Sequence, residues 1–182
     1  MKRMLGACVL GLLLAGGAQA AGFEARAATP APGLAANDLK GAPQSLADYR
    51  GKVVLLNFWA SWCPPCLREM PSMERLRQKM AGRPLAIVAL DSAETADEVN
   101  AFLSRMKVGF SILLDPDGGN TKRWKVFALP TTFLLDGEGR VRYVLTGPTE
   151  WDEGEALEVI ESLLAELPAA AKAVETLRIT PR

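Results

Sequence analysis

A β-forming segment that leads into two closely spaced cysteines constrains the fold of this chain more than any other feature. The segment, 53–59, is almost entirely apolar, which predicts a strand buried on both faces of a sheet. Cys63 and Cys66 follow, and beyond them apolar residues recur at helical spacing with charged residues such as Arg68 and Glu69 between them. The recurring apolar residues are Leu67, Met70, Met73, Leu76 and Met80. The sequence therefore predicts a buried strand, an amphipathic helix, and both cysteines at their junction.

The rest of the chain alternates predicted strands and helices. Strands are predicted at 85–90, 110–114, 131–135 and 141–145, the last two joined as a β-hairpin. Helices are predicted from the capping box that begins at Thr95, over 122–126 and over 156–167. This order of elements implies an α/β fold, with a mixed sheet flanked by helices on both faces.

The N-terminus has the pattern of an export signal. Lys2 and Arg3 precede an apolar run that ends in the small-residue motif Ala18-Gln19-Ala20, which predicts a signal peptide over 1–20 with cleavage after about Ala20. An uncleaved membrane anchor is the alternative, but the run is shorter than the roughly 20 residues that a bilayer-spanning helix needs. We therefore expect a periplasmic protein.

The remaining chain is long enough for one domain with a substantial core. Residues 21–36 are rich in Ala, Pro and Gly and predict a flexible linker, 37–167 the folded domain, and 168–182 a C-terminal extension. Loss of residues 1–20 removes Lys2 and Arg3 and no acid, which lowers the basic count from 21 to 19 against 21 acids, a net charge of −2. This charge gives no indication of a nucleic-acid partner, and we expect a monomer.

The two cysteines that remain after signal cleavage are predicted to be a redox pair. The sequence has no histidine, which removes imidazole chemistry and most zinc and copper sites. A structural disulfide across so short a loop would constrain the unfolded chain little. At the start of a helix, backbone N–H groups and the helix dipole stabilise a thiolate, so Cys63 can attack a disulfide and Cys66, one turn further in, can resolve it. No cofactor is expected.

Three stretches of the sequence together resemble the thioredoxin superfamily, and in particular its exported TlpA/ResA-type reductases. They are Phe58-Trp59-Ala60-Ser61-Trp62-Cys63-Pro64-Pro65-Cys66, then Pro71, and Leu129-Pro130-Thr131-Thr132-Phe133-Leu134. The resemblance implies a thioredoxin-like fold with an N-terminal β-hairpin and a βα-type insertion near 91–106. It further implies that Cys63 is the nucleophile, Cys66 the resolving thiol, and Pro130 a cis-proline that lets the backbone of Leu129 pair with a substrate strand.

Three other residues near the motif have open interpretations. Glu94 matches an acidic residue that ResA-like proteins place near the active site, where a carboxylate could relay the proton of Cys66. The alternative is a solvent-facing glutamate ahead of the Thr95 cap. Asn57 stands where cytosolic thioredoxins have a buried aspartate, and Glu94 is the substitute that the sequence offers. Trp62, directly before the nucleophile, is expected to shape the docking surface.

The residues between the cysteines favour a reductant. Pro64 and Pro65 have no N–H to donate, so the amide of Cys66 remains the main donor to a Cys63 thiolate, and weaker thiolate stabilisation makes a pair more reducing. We expect a reductase of client disulfides in apocytochrome c or in copper-centre assembly factors, recharged by a membrane thiol donor, as the resemblance implies. The alternatives are a thiol oxidant, a thiol peroxidase, and a copper-delivery module of the same fold.

Overall fold

Eight strands form one mixed sheet in the order β1-β8-β7-β4-β5-β6-β2-β3 in the computed structural model, which describes residues 22–169. The strands are β1 Glu24–Pro30, β2 Ala35–Asp38, β3 Pro43–Ser45, β4 Val53–Trp59, β5 Leu85–Ser92, β6 Ser111–Asp115, β7 Thr131–Leu135 and β8 Arg140–Thr146. The helices are α1 Pro64–Lys79, α2 Ala96–Leu103, α3 Gly119–Arg123 and α4 Gly154–Glu166, with a 3₁₀ turn at Leu46–Tyr49. Strand β4 runs parallel to β5 and antiparallel to β7.

Strand β4 lies at the centre of the sheet and supplies a core on each face. Because side chains alternate along a strand, Val53 and Leu55 pack on the face covered by α1, α2 and α4, whereas Val54, Leu56 and Phe58 pack on the opposite face. The second face is covered by Trp124, which directly follows α3, and by the segments around Leu34 and Leu46. The predicted fold class is confirmed, including the N-terminal hairpin, which β2 and β3 form.

The predicted flexible linker over 21–36 is wrong for most of its length. Residues Glu24–Pro30 form β1, which pairs antiparallel with β8, and β2 begins at Ala35, so the folded part starts before residue 37. All seven residues of β1 are exposed. Backbone pairing, and not the burial of side chains, holds this strand, which is why its composition shows no apolar alternation.

The short helix predicted at 122–126 begins three residues earlier, at Gly119. The Asp115 carboxylate accepts hydrogen bonds from the backbone N–H groups of Asn120 and Thr121, at 2.9 and 2.7 Å, and so fixes the first turn of α3. Lys125 adopts a left-handed backbone conformation with φ of 55°, which ends the helical stretch. A side chain outside the helix therefore sets where the helix begins.

The two ends of the chain carry predictions that lie outside the described residues. These are the signal peptide over 1–20 and, apart from Pro168 and Ala169, the C-terminal extension over 168–182. Within residues 22–169, no helix has the length and apolar character needed to cross a bilayer.

Candidate active site

The cysteine pair lies at the start of α1, directly after the end of the central strand. Cys63 is the N-cap of the helix, and Pro64 and Pro65 occupy its first positions. The two sulfur atoms are joined as a disulfide, with the Cα atoms 5.3 Å apart. The amide of Cys66 donates to the Cys63 sulfur over 3.4 Å. This geometry matches the donor arrangement expected from the sequence, because neither proline can contribute an N–H.

Cys63 borders a cleft of about 500 Å³, whereas Cys66 is fully buried behind it. The predicted docking residue Trp62 lines the cleft and is 67% exposed. Leu129 lines the same cleft, and the Leu129–Pro130 peptide bond is cis, as the resemblance implied. Phe127, which sequence reasoning did not single out, also lines the cleft. The fold therefore brings Cys63, Trp62 and the Leu129–Pro130 loop together around one opening.

Glu94 is buried next to the segment that leads into the cysteines, so the alternative interpretation of a solvent-facing side chain is wrong. Its carboxylate accepts hydrogen bonds from the backbone N–H and the hydroxyl of Ser61, each at 2.5 Å. Its own N–H donates to the Asp91 carboxylate over 3.1 Å. Burial raises the pKa of Asp91 to about 8, and the adjacent Glu94 carboxylate adds to that rise. This pair of acids fixes the backbone two residues before Cys63.

A second buried acid, Glu69, lies on α1 three residues after Cys66. Asn57 donates to its carboxylate over 2.8 Å, and the indole N–H of Trp151 does so over 3.2 Å. Burial raises the pKa of Glu69 to about 7, although these hydrogen bonds and one from the Thr149 backbone lower it. Asn57 donates as well to the Thr132 hydroxyl over 2.9 Å. Asn57, which stands where cytosolic thioredoxins have a buried aspartate, is thus hydrogen-bonded to Glu69.

Sequence reasoning placed Glu69 among the charged residues of an amphipathic helix, but its side chain is only 1% exposed. Helical spacing held the signal that could have found it. Glu69 is three residues after buried Cys66 and four before buried Met73, so all three share one face of α1. Its buried partner Trp151 comes from a distant part of the chain.

Comparisons with known proteins show to which family the chain belongs. The model of the AhpC/TSA family matches residues 27–144, which is more than half of the chain. The chain belongs to the AhpC/TSA family. Its fold within this family is thioredoxin-like, and its C-x-x-C pair is that of a thiol-disulfide oxidoreductase.

Its relatives carry matching names. The chain is 39% identical to the thiol-disulfide oxidoreductase ResA of Geobacillus thermodenitrificans over 132 residues, which cover 72% of this chain and 76% of the relative. ResA of Bacillus thuringiensis is 39% identical over 117 residues, covering 64% and 68%. A crystal structure from Chlorobium tepidum, assigned as the thiol:disulfide interchange protein DsbE, superimposes with a TM-score of 0.70 at 32% identity, over 78% of this chain and 99% of that one. This AhpC/TSA member is thus a thiol-disulfide oxidoreductase similar to ResA and DsbE.

Proposed function

We propose that this AhpC/TSA member is a periplasmic reductase of disulfides in client proteins. The observation that carries the proposal is the arrangement of the pair, with Cys63 on the cleft and Cys66 fully buried one helical turn behind it. The Cys63 thiolate attacks one sulfur of the client disulfide, forms a mixed disulfide and releases the other client sulfur as a thiolate. The Cys66 thiolate then attacks the Cys63 sulfur, which releases the second client thiolate and closes the Cys63–Cys66 disulfide.

The buried position of Cys66 requires an internal route for its proton. Cys66 must lose a proton before it attacks, and solvent has no direct access to a fully buried sulfur. Glu69 follows one turn later on the same face of α1, and a carboxyl with a pKa of about 7 exchanges protons readily at neutral pH. We assign Glu69 as the acceptor of this proton, and Glu94, the acid singled out from the sequence, to holding Ser61.

The cleft walls support the binding of an extended client segment. Trp62 and Leu129 line the cleft together with Cys63 and contribute apolar surface to it. The backbone of Leu129, ahead of the cis bond to Pro130, is the proposed pairing partner for the client strand. Export rests on the N-terminal pattern of residues 1–20. Clients in cytochrome c or copper-centre assembly, and a membrane thiol donor, belong to the same proposal.

Insulin reduction by the dithiol form, combined with the reduction potential of the pair, tests the direction of electron flow. A reductase should precipitate insulin chains at rates that a Cys63→Ser variant loses completely, and its potential should lie near about −270 mV. Cys66→Ser should instead accumulate mixed disulfides with clients, because resolution is blocked. A potential near about −120 mV would identify an oxidant and overturn the proposal.

A further inference from the structure

Two large apolar side chains stand open to solvent in the described part of the chain, and both line the cleft of Cys63. They are Trp62, which is 67% exposed, and Phe127, which is 93% exposed. Large apolar groups left uncovered on a soluble protein mark contact sites for a partner. Trp62 directly precedes Cys63 in the chain, whereas Phe127 belongs to the segment between α3 and β7.

Phe127 also borders a second depression of about 590 Å³, which we call the β1 groove. The β1 groove lies between β1, β8 and the segment that follows α3, and its apolar lining includes Phe133, Val141 and Val144. Phe127 and Ala128 line both the β1 groove and the cysteine cleft. The two depressions are therefore neighbours that share one wall.

The charges around the β1 groove are predominantly positive. Arg26, Arg123 and Lys125 line it, with Glu24 as its one carboxylate, and Glu24 forms an ion pair with Arg26. The guanidinium of Arg123 donates to the backbone oxygen of Gly33 over 3.2 Å, which holds one of these cations in place. A ligand that complements this groove carries both apolar and acidic groups.

We propose that the β1 groove binds the stretch of client polypeptide next to the reacting disulfide, and that it selects clients with acidic and apolar residues in that stretch. The inference rests on the proposed function, because it extends the client site beyond the cysteine cleft. Continuity through Phe127 and Ala128 lets one extended chain occupy both depressions. The cationic lining favours carboxylates through faster association and stronger discrimination between clients.

Two synthetic peptides test this selection. Both contain the same disulfide and the same flanking phenylalanine and leucine residues, but one carries two aspartates and the other two lysines on each side. The dithiol form of the protein should reduce the acidic peptide with a kcat/KM about tenfold higher at low ionic strength, and salt should diminish the difference. Lys125→Glu should abolish or invert this preference.

Lys122→Glu is the matched control, because Lys122 is exposed on α3, lines neither depression, and undergoes the same charge change. It should keep the preference for the acidic peptide. Phe127→Ala should lower kcat/KM for both peptides by a similar factor, because Phe127 borders both depressions. Because the Phe127 side chain is almost fully exposed, its removal should not disturb the fold, and a folding defect would not explain the lower kcat/KM.

Other outcomes would overturn the inference. Equal rates on the two peptides, unchanged in Lys125→Glu, would show that the groove does not select clients while leaving the proposed function intact. Retention on phosphatidylglycerol vesicles that Lys125→Glu abolishes, with peptide rates unchanged, would assign the groove to a lipid surface instead. Failure of the wild-type protein to reduce either peptide or insulin would remove the proposed function, and the groove inference with it.

Discussion

Two buried acids, Glu69 and Asp91, differ in their surroundings. Glu69 on α1 has a hydrogen-bond donor for each carboxylate oxygen, from Asn57 and from Trp151. Asp91 at the end of β5 accepts from the Glu94 backbone on one oxygen, while the other is buried without a partner among the described residues. Burial raises the pKa of both, to about 7 for Glu69 and about 8 for Asp91.

The difference teaches that burial alone does not decide what an acid does. Donors around Glu69 stabilise its charged form and hold its pKa near neutrality, so both protonation states are populated there. Asp91 is buried and faces the Glu94 carboxylate, so it retains its proton at neutral pH. With the proton on its second oxygen, which otherwise has no partner among the described residues, Asp91 can donate a hydrogen bond to Glu94. Glu69 is therefore suited to proton exchange, and Asp91 to structural support of Glu94.

Among the buried acids Glu69, Glu94 and Asp91, replacement of Glu69 should have the largest effect on catalysis. Glu69→Gln keeps the shape and removes the titrating proton, so the rate of insulin reduction at pH 7 should fall by about 10²-fold. The bimolecular reaction of Cys63 with a small disulfide should change much less, because that step does not require the Cys66 proton. Stopped-flow measurement of each step separates the two rates. Full activity in Glu69→Gln would remove this acid from the proposed mechanism.

Replacement of Glu94 should have an intermediate effect, carried by position and not by proton transfer. Glu94→Ala removes both hydrogen bonds to Ser61, which should lower the free energy of unfolding by about 2 kcal/mol and the rate by roughly tenfold. Urea unfolding and insulin reduction measure the two losses. Ser61→Ala, which removes only the hydroxyl, is the matched control and should show the smaller loss in both.

The same comparison explains what the sequence could and could not predict. The apolar run of β4 and the spacing of the cysteines predicted the central strand, α1 and the site of Cys63, because local pattern decides those features. Helical spacing indicated the buried face on which Glu69 lies, but its partner Trp151 is 82 residues further along, and no local pattern contains that contact. Strand β1 has no buried side chain, since it is held by backbone pairing with β8. The local sequence pattern therefore could not predict contacts between distant side chains or a strand that is held only by backbone pairing.

Replacement of Asp91 should have the smallest effect on the rate. Asp91→Asn preserves a neutral group that can donate to Glu94, so insulin reduction at pH 7 should change by less than about twofold. The variant should instead alter the pH dependence of stability. Because the pKa of Asp91 is raised in the folded state, the folded chain binds more protons than the unfolded chain between about pH 4 and pH 8.

The free energy of unfolding must therefore decrease as the pH rises through this window, by at most about 1.4 kcal/mol per pH unit from Asp91 alone. Asp91→Asn should remove that contribution, so its stability relative to wild type should increase up to about pH 8 and then become constant. Glu69→Gln, measured in parallel, should reach its constant difference nearer pH 7. Urea titrations across this pH range measure both curves. If the stability of Asp91→Asn relative to wild type does not rise with pH across this window, Asp91 does not hold its proton in the folded chain, and the contrast between the two acids is wrong.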